Sequence, residues 1–466
     1  MALEVIVLAA GMGKRMHSSL PKVLHQVAAQ PMLFHVLTTA AQLEPQAIHV
    51  VLGHGGDQVA AAMQSGLSPK LLKRIKICSQ SQQLGTAHAV AQALPQVDPK
   101  SQVLVLYGDT PLTPKGELEH LLQVLNEGAD LSLLTAQLDN PTGYGRIVRD
   151  AQGAVLGIVE EKDASAEQKA IREINTGMIA TTGQILTDYL PQIGNHNAQG
   201  EYYLTDLAGL LVQAGRKVAG VACAPENIAL LSGVNNKLQL AQVERLYQEH
   251  KAQQFLLDGL TLADPKRFDL RGELTFGHDC FIDINVIISG KVSLGNNVVI
   301  GAGCVLQDVT IGDNSIISPY TIMERSQLKV HTTVGPFARL RPGNVLEDEV
   351  HIGNFVEVKN SHIGLGTKAG HLTYLGDSEI GAGTNIGAGT ITCNYDGANK
   401  HRTTIGNNVF VGSDTQLVAP VTVEDGATIG AGTTVTRTVK ANCLVVTRAP
   451  WRTIETYQRP TKQPKN

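Results

Sequence analysis

Large aromatic side chains are scarce in this sequence: Phe, Trp and Tyr make up 4% of 466 residues, beside 47 glycines. Few big rings and many glycines point to a backbone that turns tightly and often. Cysteine is sparse as well. The six (Cys78, Cys223, Cys280, Cys304, Cys393 and Cys443) lie far apart with no C-x-x-C pair. That is neither a zinc site nor a disulfide framework, and it fits a reducing cytosol. Neither sign of charge dominates. A formal net charge of −4 advertises no nucleic-acid partner and no anionic membrane, while leaving room for local basic pockets that take phosphates. No uninterrupted apolar stretch approaches the ~20 residues of a membrane helix. The apolar start, Val5-Ile6-Val7-Leu8-Ala9-Ala10, is too short for a signal segment and lacks a basic flank before it. The expectation is a soluble cytoplasmic enzyme with no nucleic-acid partner and no stable membrane insertion.

What is present divides the chain into two halves of different rhythm. In the first, compact apolar runs of strand length (Val5–Ala10, Ile48–Gly53, Val103–Tyr107, Leu131–Thr135) alternate with longer stretches of helical spacing such as His25–Leu43. That alternation predicts an α/β domain around a mostly parallel sheet, with ligands beyond the carboxyl ends of its strands. Residues 238–258 contain no Gly or Pro, and Leu238, Val243, Leu246, Phe255 and Leu256 suit one long amphipathic linker helix. The expected domains are therefore 1–237, a linker at 238–258, and 259–466.

Beyond the linker the period becomes six. Ile282, Ile288, Leu294, Ile300 and Leu306 keep it, as do Val334, Leu340, Leu346, Ile352 and Val358. The cleanest run is Ile405, Val411, Leu417, Val423, Ile429 and Val435. Neither a helix nor an alternating strand gives this period, whereas a parallel β-helix does, with one aliphatic residue per short strand pointing inward and Gly or Asn at the corners. Three strands close a coil, so residues 18 apart stack. A five replaces a six near Val309–Ile311 and before Ile363, and the repeat breaks at Thr392–Thr404, which reads as a projecting loop. The tail after Pro450 reads as basic and frayed.

The opening strand runs into Leu8-Ala9-Ala10-Gly11-Met12-Gly13-Lys14-Arg15-Met16. A glycine-rich turn carrying Lys and Arg is a natural phosphate cradle. No Gly-Lys-Ser/Thr follows at P-loop spacing, and Met16 stands where a dinucleotide fingerprint needs Gly. Alone, the segment reads equally as a simple turn; Asp109 alone reads as a helix cap, and Lys22 alone as a solvated lysine. The ordered set carries more. Leu20-Pro21-Lys22 follows the turn, then Gln83-Leu84-Gly85-Thr86-Ala87, Tyr107-Gly108-Asp109 after an apolar run, Glu160, Asn175-Thr176-Gly177 and Val234-Asn235-Asn236.

This set resembles the sugar-nucleotide pyrophosphorylases, with Lys14 where that family often has Thr. The resemblance implies a Rossmann-like nucleotidyltransferase domain. Gly11, Gln80, Gly85 and Thr86 would surround uracil and ribose, Leu8, Ala9 and Ala10 would belong to the same nucleotide- and sugar-binding site, and Arg15 and Lys22 would face the triphosphate. Tyr107 and Gly108 would lie beside the nucleotide, Gly145, Glu160 and Asn175 would hold the amino sugar, and Asp109 and Asn235 would hold Mg2+. The implied reaction is in-line attack of a sugar-1-phosphate oxygen on the α-phosphorus of UTP, driven by positioning and charge neutralisation.

In the second half Arg341 and Lys359 are 18 apart, so the stacking rule places both on one face, where two adjacent cations repel unless an anion sits between them. Glu357 shares the strand of Lys359, and Gly370-His371-Leu372-Thr373-Tyr374 follows; a carboxylate near a histidine can orient its ring. Ser413 and Ala431 are also 18 apart, a small-residue face that could take an extended cofactor. The segment resembles the hexapeptide-repeat acyltransferases, which form left-handed parallel β-helices and assemble as homotrimers. With Arg-Pro-Gly, Asn-Phe-Val-Glu-x-Lys and Cys-Asn-Tyr-Asp-Gly, it is similar to the acetyltransferase half of the bifunctional uridylyltransferase/acetyltransferases that make UDP-N-acetylglucosamine. That family implies His371 as general base on glucosamine-1-phosphate, with Arg341, Lys359, Tyr374 and Asn385 binding the sugar phosphate. Ala388, Asn394, Tyr395, Ser413, Ala431 and Arg448 would line the acetyl-CoA site. The product, N-acetylglucosamine-1-phosphate, would pass to UTP. Two rivals stay open: a single-function nucleotidyltransferase with a structural β-helix, and a non-catalytic scaffold that binds nucleotide-sugars.

Overall fold

Strand Leu3–Ala9 occupies the middle of the first sheet because its side chains, apart from Glu4, are apolar on both faces, the pattern of a strand covered on both sides. In this computed structural model, which describes residues 1–462, it pairs in parallel with Ala47–Leu52 and Gln102–Tyr107. Across the sheet the order is Val218–Ala222, Leu131–Gln137, Glu173–Thr182, Gln102–Tyr107, Leu3–Ala9, Ala47–Leu52, Ile75–Ser79. Only Glu173–Thr182 runs against both neighbours in this row. Val5, Val7, Leu104 and Leu106 pack on one side with helices Met32–Gln42 and Lys115–Asn126. Ile6, Leu8, Val103 and Val105 pack on the other with Thr86–Ala93 and Asp206–Gln213. The loops after Ala9, Ser79 and Tyr107 thus leave one edge of a parallel sheet.

The expected helix His25–Leu43 is shorter than its spacing suggests. It begins at Met32, because Gln26–Val27 and Gln30–Pro31 form a small hairpin around Ala28 and Ala29, both at positive φ. Pro31 sits at the helix start, where its missing N–H costs nothing. The long helix after the first sheet spans Lys237–Leu257, and the division between two compact units, after Gln248, falls inside it. Its buried residues match the expected stripe only in part. Val243, Gln248, Ala252 and Phe255 are buried, while Leu238 is 68% exposed and Leu256 is also exposed.

The second unit is a parallel β-helix. One column of its strands runs Ile282, Ile300, Ile317, Val334, Ile352, Ala369, Ile386, Val411 and Ile429, each paired with the next coil. All of these side chains are buried in a single core. One 11-stranded sheet and one 17-stranded sheet, the latter pairing in two columns, enclose it. The five-residue steps shift the register as expected: Leu294 pairs with Ile311, and Leu346 with Ile363. Corners are taken by Asn297, Asn314, Asn408 and Asn442 at positive φ, a conformation asparagine tolerates. At the break, Ile380 pairs with Ile405, and the extra residues form a loop closed by an antiparallel bridge from Tyr395 to Lys400. Residues 450–462 carry no regular helix or strand; positions 463–466 of the tail lie outside the described residues.

Stacking also builds an ionic row on the outer surface. His362 bonds Glu347 through Nε2 (3.0 Å) and Glu379 through Nδ1, and Arg402 Nη2 donates to Glu379 (2.9 Å). The flanking Glu347 and Glu379 hydrogen bonds raise the His362 pKa above 6.5. A raised folded-state value means that this contribution is fully present below about pH 6.5 and fades as pH rises through the folded value. Comparing urea midpoints of the wild type with His362→Gln, the gap should be widest near pH 6 and narrow toward pH 9. A gap independent of pH would rule out a stabilising imidazolium.

Candidate functional sites

In the first unit, a cavity of about 360 Å³ opens at the carboxyl edge of the sheet. Leu8, Ala9, Ala10, Gly11, Lys22, Gln80, Gly85, Thr86, Tyr107 and Asp109 line it. Met12, Gln83 and Glu201 line it too, and sequence reasoning did not single them out for a role. Local backbone explains the approach. Gly13 adopts φ +59, and a Cβ there would lie 2.7 Å from Lys22 Cβ, so glycine lets the turn close over the lysine. Gly85 adopts φ +120 with Tyr202 backbone packed where a Cβ would be. Tyr202 N–H donates to the Leu84 carbonyl, and Leu204 N–H to Thr86 Oγ1.

The electrostatic centre is Lys22. Its Nζ donates to the Asp109 carboxylate in a short contact and to Asn235 Oδ1 at 3.2 Å. Val234 N–H donates to the Asp109 carbonyl, so the loop bearing Asn235 is tied to the residue it must face. One carboxylate and one amide oxygen converging on one positive charge form a hard-oxygen donor pair that fits Mg2+, an ion that keeps several waters and takes the rest of its ligands from phosphates. Arg15 and Gly108 do not line the cavity. Arg15 is exposed on the turn Lys14–Met16, and Gly108 N–H extends the ladder to the Leu8 carbonyl.

Gly145, Glu160 and Asn175 come together beside Tyr107. A Cβ on Gly145 would lie 3.4 Å from both Glu160 oxygens, and Asn175 N–H donates to the Gly145 carbonyl. Thr205 Oγ1 donates to Glu160 at 3.0 Å. Burial, then Asp206 and Asp163, raise the Glu160 pKa, even though the Thr205 bond opposes this. Burial and the Glu160 and Asp109 carboxylates hold the Tyr107 phenol well above its usual range.

In the second unit, Arg341 and Lys359 stack as expected on successive coils, since Leu340 pairs with Val358. Arg341 is not bare, because it donates to Glu357 at 3.2 Å. Glu357 therefore partners the arginine, and the ring of His371 takes a different neighbour. His371 Nδ1 lies 2.7 Å from Asn354 Oδ1. The stacking rule contained this pair: Asn354 lies one coil before His371, across the five-residue step. Lys400, from the projecting loop, comes beside Lys359, whose ammonium lowers its pKa. Nothing in the repeat marks Lys400, because it lies outside the period.

Tyr374 hydroxyl and Asp377 both accept from Asn394 Nδ2, at 3.4 and 2.6 Å. Tyr395 is exposed and donates to the Gly397 carbonyl. Asn385 stands apart on the 11-stranded sheet, paired with Lys368 and Phe410, around the corner from Tyr374. Register carries the corner of His371 onward through Ala388, Ser413 and Ala431: Asp414 N–H donates to the Ala388 carbonyl and Gly432 N–H to the Ser413 carbonyl. Arg448 Nη1 donates to the Ala431 carbonyl, ending the column.

Comparison with known proteins gives the two units their class. Residues 5–173 match the MobA-like NTP transferase domain, residues 270–363 the GMPPB C-terminal domain, and residues 402–437 the bacterial transferase hexapeptide (six repeats). Among solved structures, a putative glucose-1-phosphate thymidylyltransferase from Bacillus anthracis in complex with a sucrose is 19% identical, covering 53% of this chain and 95% of that one at a TM-score of 0.42. The chain thus carries an N-terminal Rossmann-like nucleotidyltransferase domain followed by a parallel β-helix of hexapeptide repeats. No helix among the described residues is long and apolar enough to cross a membrane.

The donor pair makes a signed expectation for cation binding. With Mn2+ as probe and no nucleotide, Asp109→Asn should weaken binding at least about tenfold, roughly 1.4 kcal/mol. Lys22→Met should strengthen it by removing the ammonium that competes for both oxygens. Paramagnetic relaxation titrations read both, and weaker binding in Lys22→Met would contradict the assignment.

Proposed function

We propose that the protein makes UDP-N-acetylglucosamine in two steps, as a glucosamine-1-phosphate acetyltransferase in the β-helix and an N-acetylglucosamine-1-phosphate uridylyltransferase in the first unit. The reading rests above all on one observation: residues scattered from Leu8 to Asp109 close around one cavity, with Asn235 tied to it through Lys22.

In the first unit, Gln80 and Gly85 meet the uracil, and Lys22 and Arg15 offset triphosphate charge. Glu160, Asn175 and Gly145 receive the amino sugar, and Thr205 holds the Glu160 carboxylate in place. Asp109 and Asn235 hold Mg2+, which when bound supplies charge neutralisation to the phosphates. The sugar-1-phosphate oxygen attacks the α-phosphorus and pyrophosphate leaves. The side chains contribute position and charge and no covalent nucleophile.

In the second unit, Arg341, Lys359 and Lys400 take the phosphate of glucosamine-1-phosphate, and Tyr374 and Asn385 contact the sugar. With Nδ1–H donating to Asn354, the Nε2 lone pair of His371 accepts the proton of the sugar amine. The amine then attacks the thioester carbonyl of acetyl-CoA, the C–S bond breaks, and the CoA thiolate leaves and takes up the proton held by His371. Ala388, Ser413 and Ala431 leave room beside that corner for the cofactor, with Asn394, Tyr395 and Arg448 at its margins. A homotrimer is part of the proposal. Tyr320, Phe337 and Phe355 form an exposed stacked row, with centroids 5.2 and 5.4 Å apart, and exposed Leu372 follows one coil on. Such an apolar row on one edge suits another copy of the chain.

Two single variants separate the activities. His371→Ala should lose acetyl transfer by about 10²–10⁴-fold and spare uridylyl transfer; Asp109→Ala should do the reverse. Loss of both activities in either variant, or of neither, sinks the two-site reading. For the assembly, sedimentation should give a trimer for the wild type and smaller species for Phe337→Glu. A wild-type monomer at working concentration would remove that part of the proposal.

A further inference from the structure

Gln80 presents a chemical ambiguity. A primary amide carries an acceptor and a donor, and half a turn exchanges them. Against a pyrimidine the two orientations choose differently, because uracil presents an N3–H donor and cytosine presents an N3 lone pair. A glutamine that turns freely therefore discriminates poorly. The side chain is buried, 3% exposed, and lines the nucleotide cavity.

Both of its hydrogen bonds inside the chain fall on the nitrogen. Nε2 donates to the Gly85 carbonyl at 3.2 Å and to His88 Nδ1 at 3.0 Å. Among the described residues, Oε1 has no hydrogen-bond partner. Turning the amide would set Oε1 against a carbonyl oxygen and a ring lone pair at once, two repulsions for two lost bonds. The Gly85 carbonyl alone is a shared anchor, since it also accepts Ala89 N–H in the first turn of helix Thr86–Ala93. His88 supplies the second. With the Gln80 amide held by the Gly85 carbonyl, His88 Nδ1 accepts and the ring proton sits on Nε2, which lies 3.2 Å from Gln92 Nε2 one helical turn on. Gln92 Nε2 donates to the His88 carbonyl at 3.1 Å, so in this tautomer the Gln92 amide turns its oxygen to the ring and gives up that bond.

We infer that His88 is a positioning residue for base selection: it holds Gln80 with Oε1 available to the base, so that pyrimidines with an N3–H are accepted and cytosine is rejected. The inference rests on the uridylyltransferase reading and extends it to a residue without a place in the nucleotide cavity's lining. Thymine shares the N3–H of uracil, so His88 should not affect discrimination between UTP and dTTP, which provides an internal control.

The test is kcat/KM of the full chain with UTP, CTP and dTTP in uridylyl transfer, for the wild type, His88→Leu and His88→Asn. Asn places an acceptor where Nδ1 stands; Leu does not. The UTP:CTP ratio should fall by about tenfold or more in His88→Leu, mainly through KM for UTP, and be kept in His88→Asn. The UTP:dTTP ratio should stay unchanged in both. A folded His88→Leu with the wild-type UTP:CTP ratio overturns the inference. If the Leu variant does not fold, a collapsed ratio in folded His88→Asn overturns it, and a preserved ratio with the Gln80→Leu ratio collapsed supports it. A wild type that turns over no UTP overturns the uridylyltransferase reading itself, a separate result.

Discussion

The ladder of main-chain hydrogen bonds between parallel strands fixes where side chains stand in both units. In an antiparallel sheet loops leave at both ends of neighbouring strands, whereas parallel neighbours deliver their carboxyl ends to one edge. Leu3–Ala9, Ile75–Ser79 and Gln102–Tyr107 therefore present Gly11, Gln80 and Asp109 to a common cavity. In the β-helix the same ladder works by stacking. One coil places Arg341 under Lys359 and Asn354 beside His371, and carries the His371 corner on to Ala388, Ser413 and Ala431. Chemistry rides on positions outside the core, and the buried aliphatic column holds the spacing.

Charge is handled differently in the two units. In the first, Lys22 meets its carboxylate and amide partners inside a partly enclosed space, and the raised Glu160 pKa follows mainly from burial. In the second, Lys359 and Lys400 stand near the surface, where the Lys359 ammonium lowers the Lys400 pKa. An arrangement of like charges suits a multiply charged anion, whereas a cation-filled pair of one carboxylate and one amide oxygen suits exchange of one cation for another.

Much of this was legible in the sequence because periodicity reports burial. The six-residue period placed the inward column from Ile282 to Val435, and its two five-residue slips coincide with register shifts, while further short steps at Met323–Leu328 and Leu375–Ile380 went unmarked. The ordered motifs of the first half named most of the cavity lining. What stayed hidden had no local signal. Glu201 reaches the cavity and Thr205 reaches Glu160 from far along the chain, and Lys400 lies in a loop without period. Asn354 was available from the stacking rule, yet the carboxylate of Glu357 drew attention because acids are the familiar partners of imidazoles. The helical spacing of His25–Leu43 failed where Ala28 and Ala29 turn and Pro31 forbids continuation, and apolar spacing in Lys237–Leu257 found the buried Val243 and Phe255 but also named the exposed Leu238 and Leu256.

The most direct measurement is a mass-spectrometric product assay on the full chain with glucosamine-1-phosphate, acetyl-CoA, UTP and Mg2+, omitting one component at a time. UDP-N-acetylglucosamine should form only when all four are present, with acetylated sugar phosphate accumulating when UTP alone is left out. If glucosamine-1-phosphate is never acetylated and acetyl-CoA proves dispensable, the β-helix is a scaffold and the two-site account is contradicted.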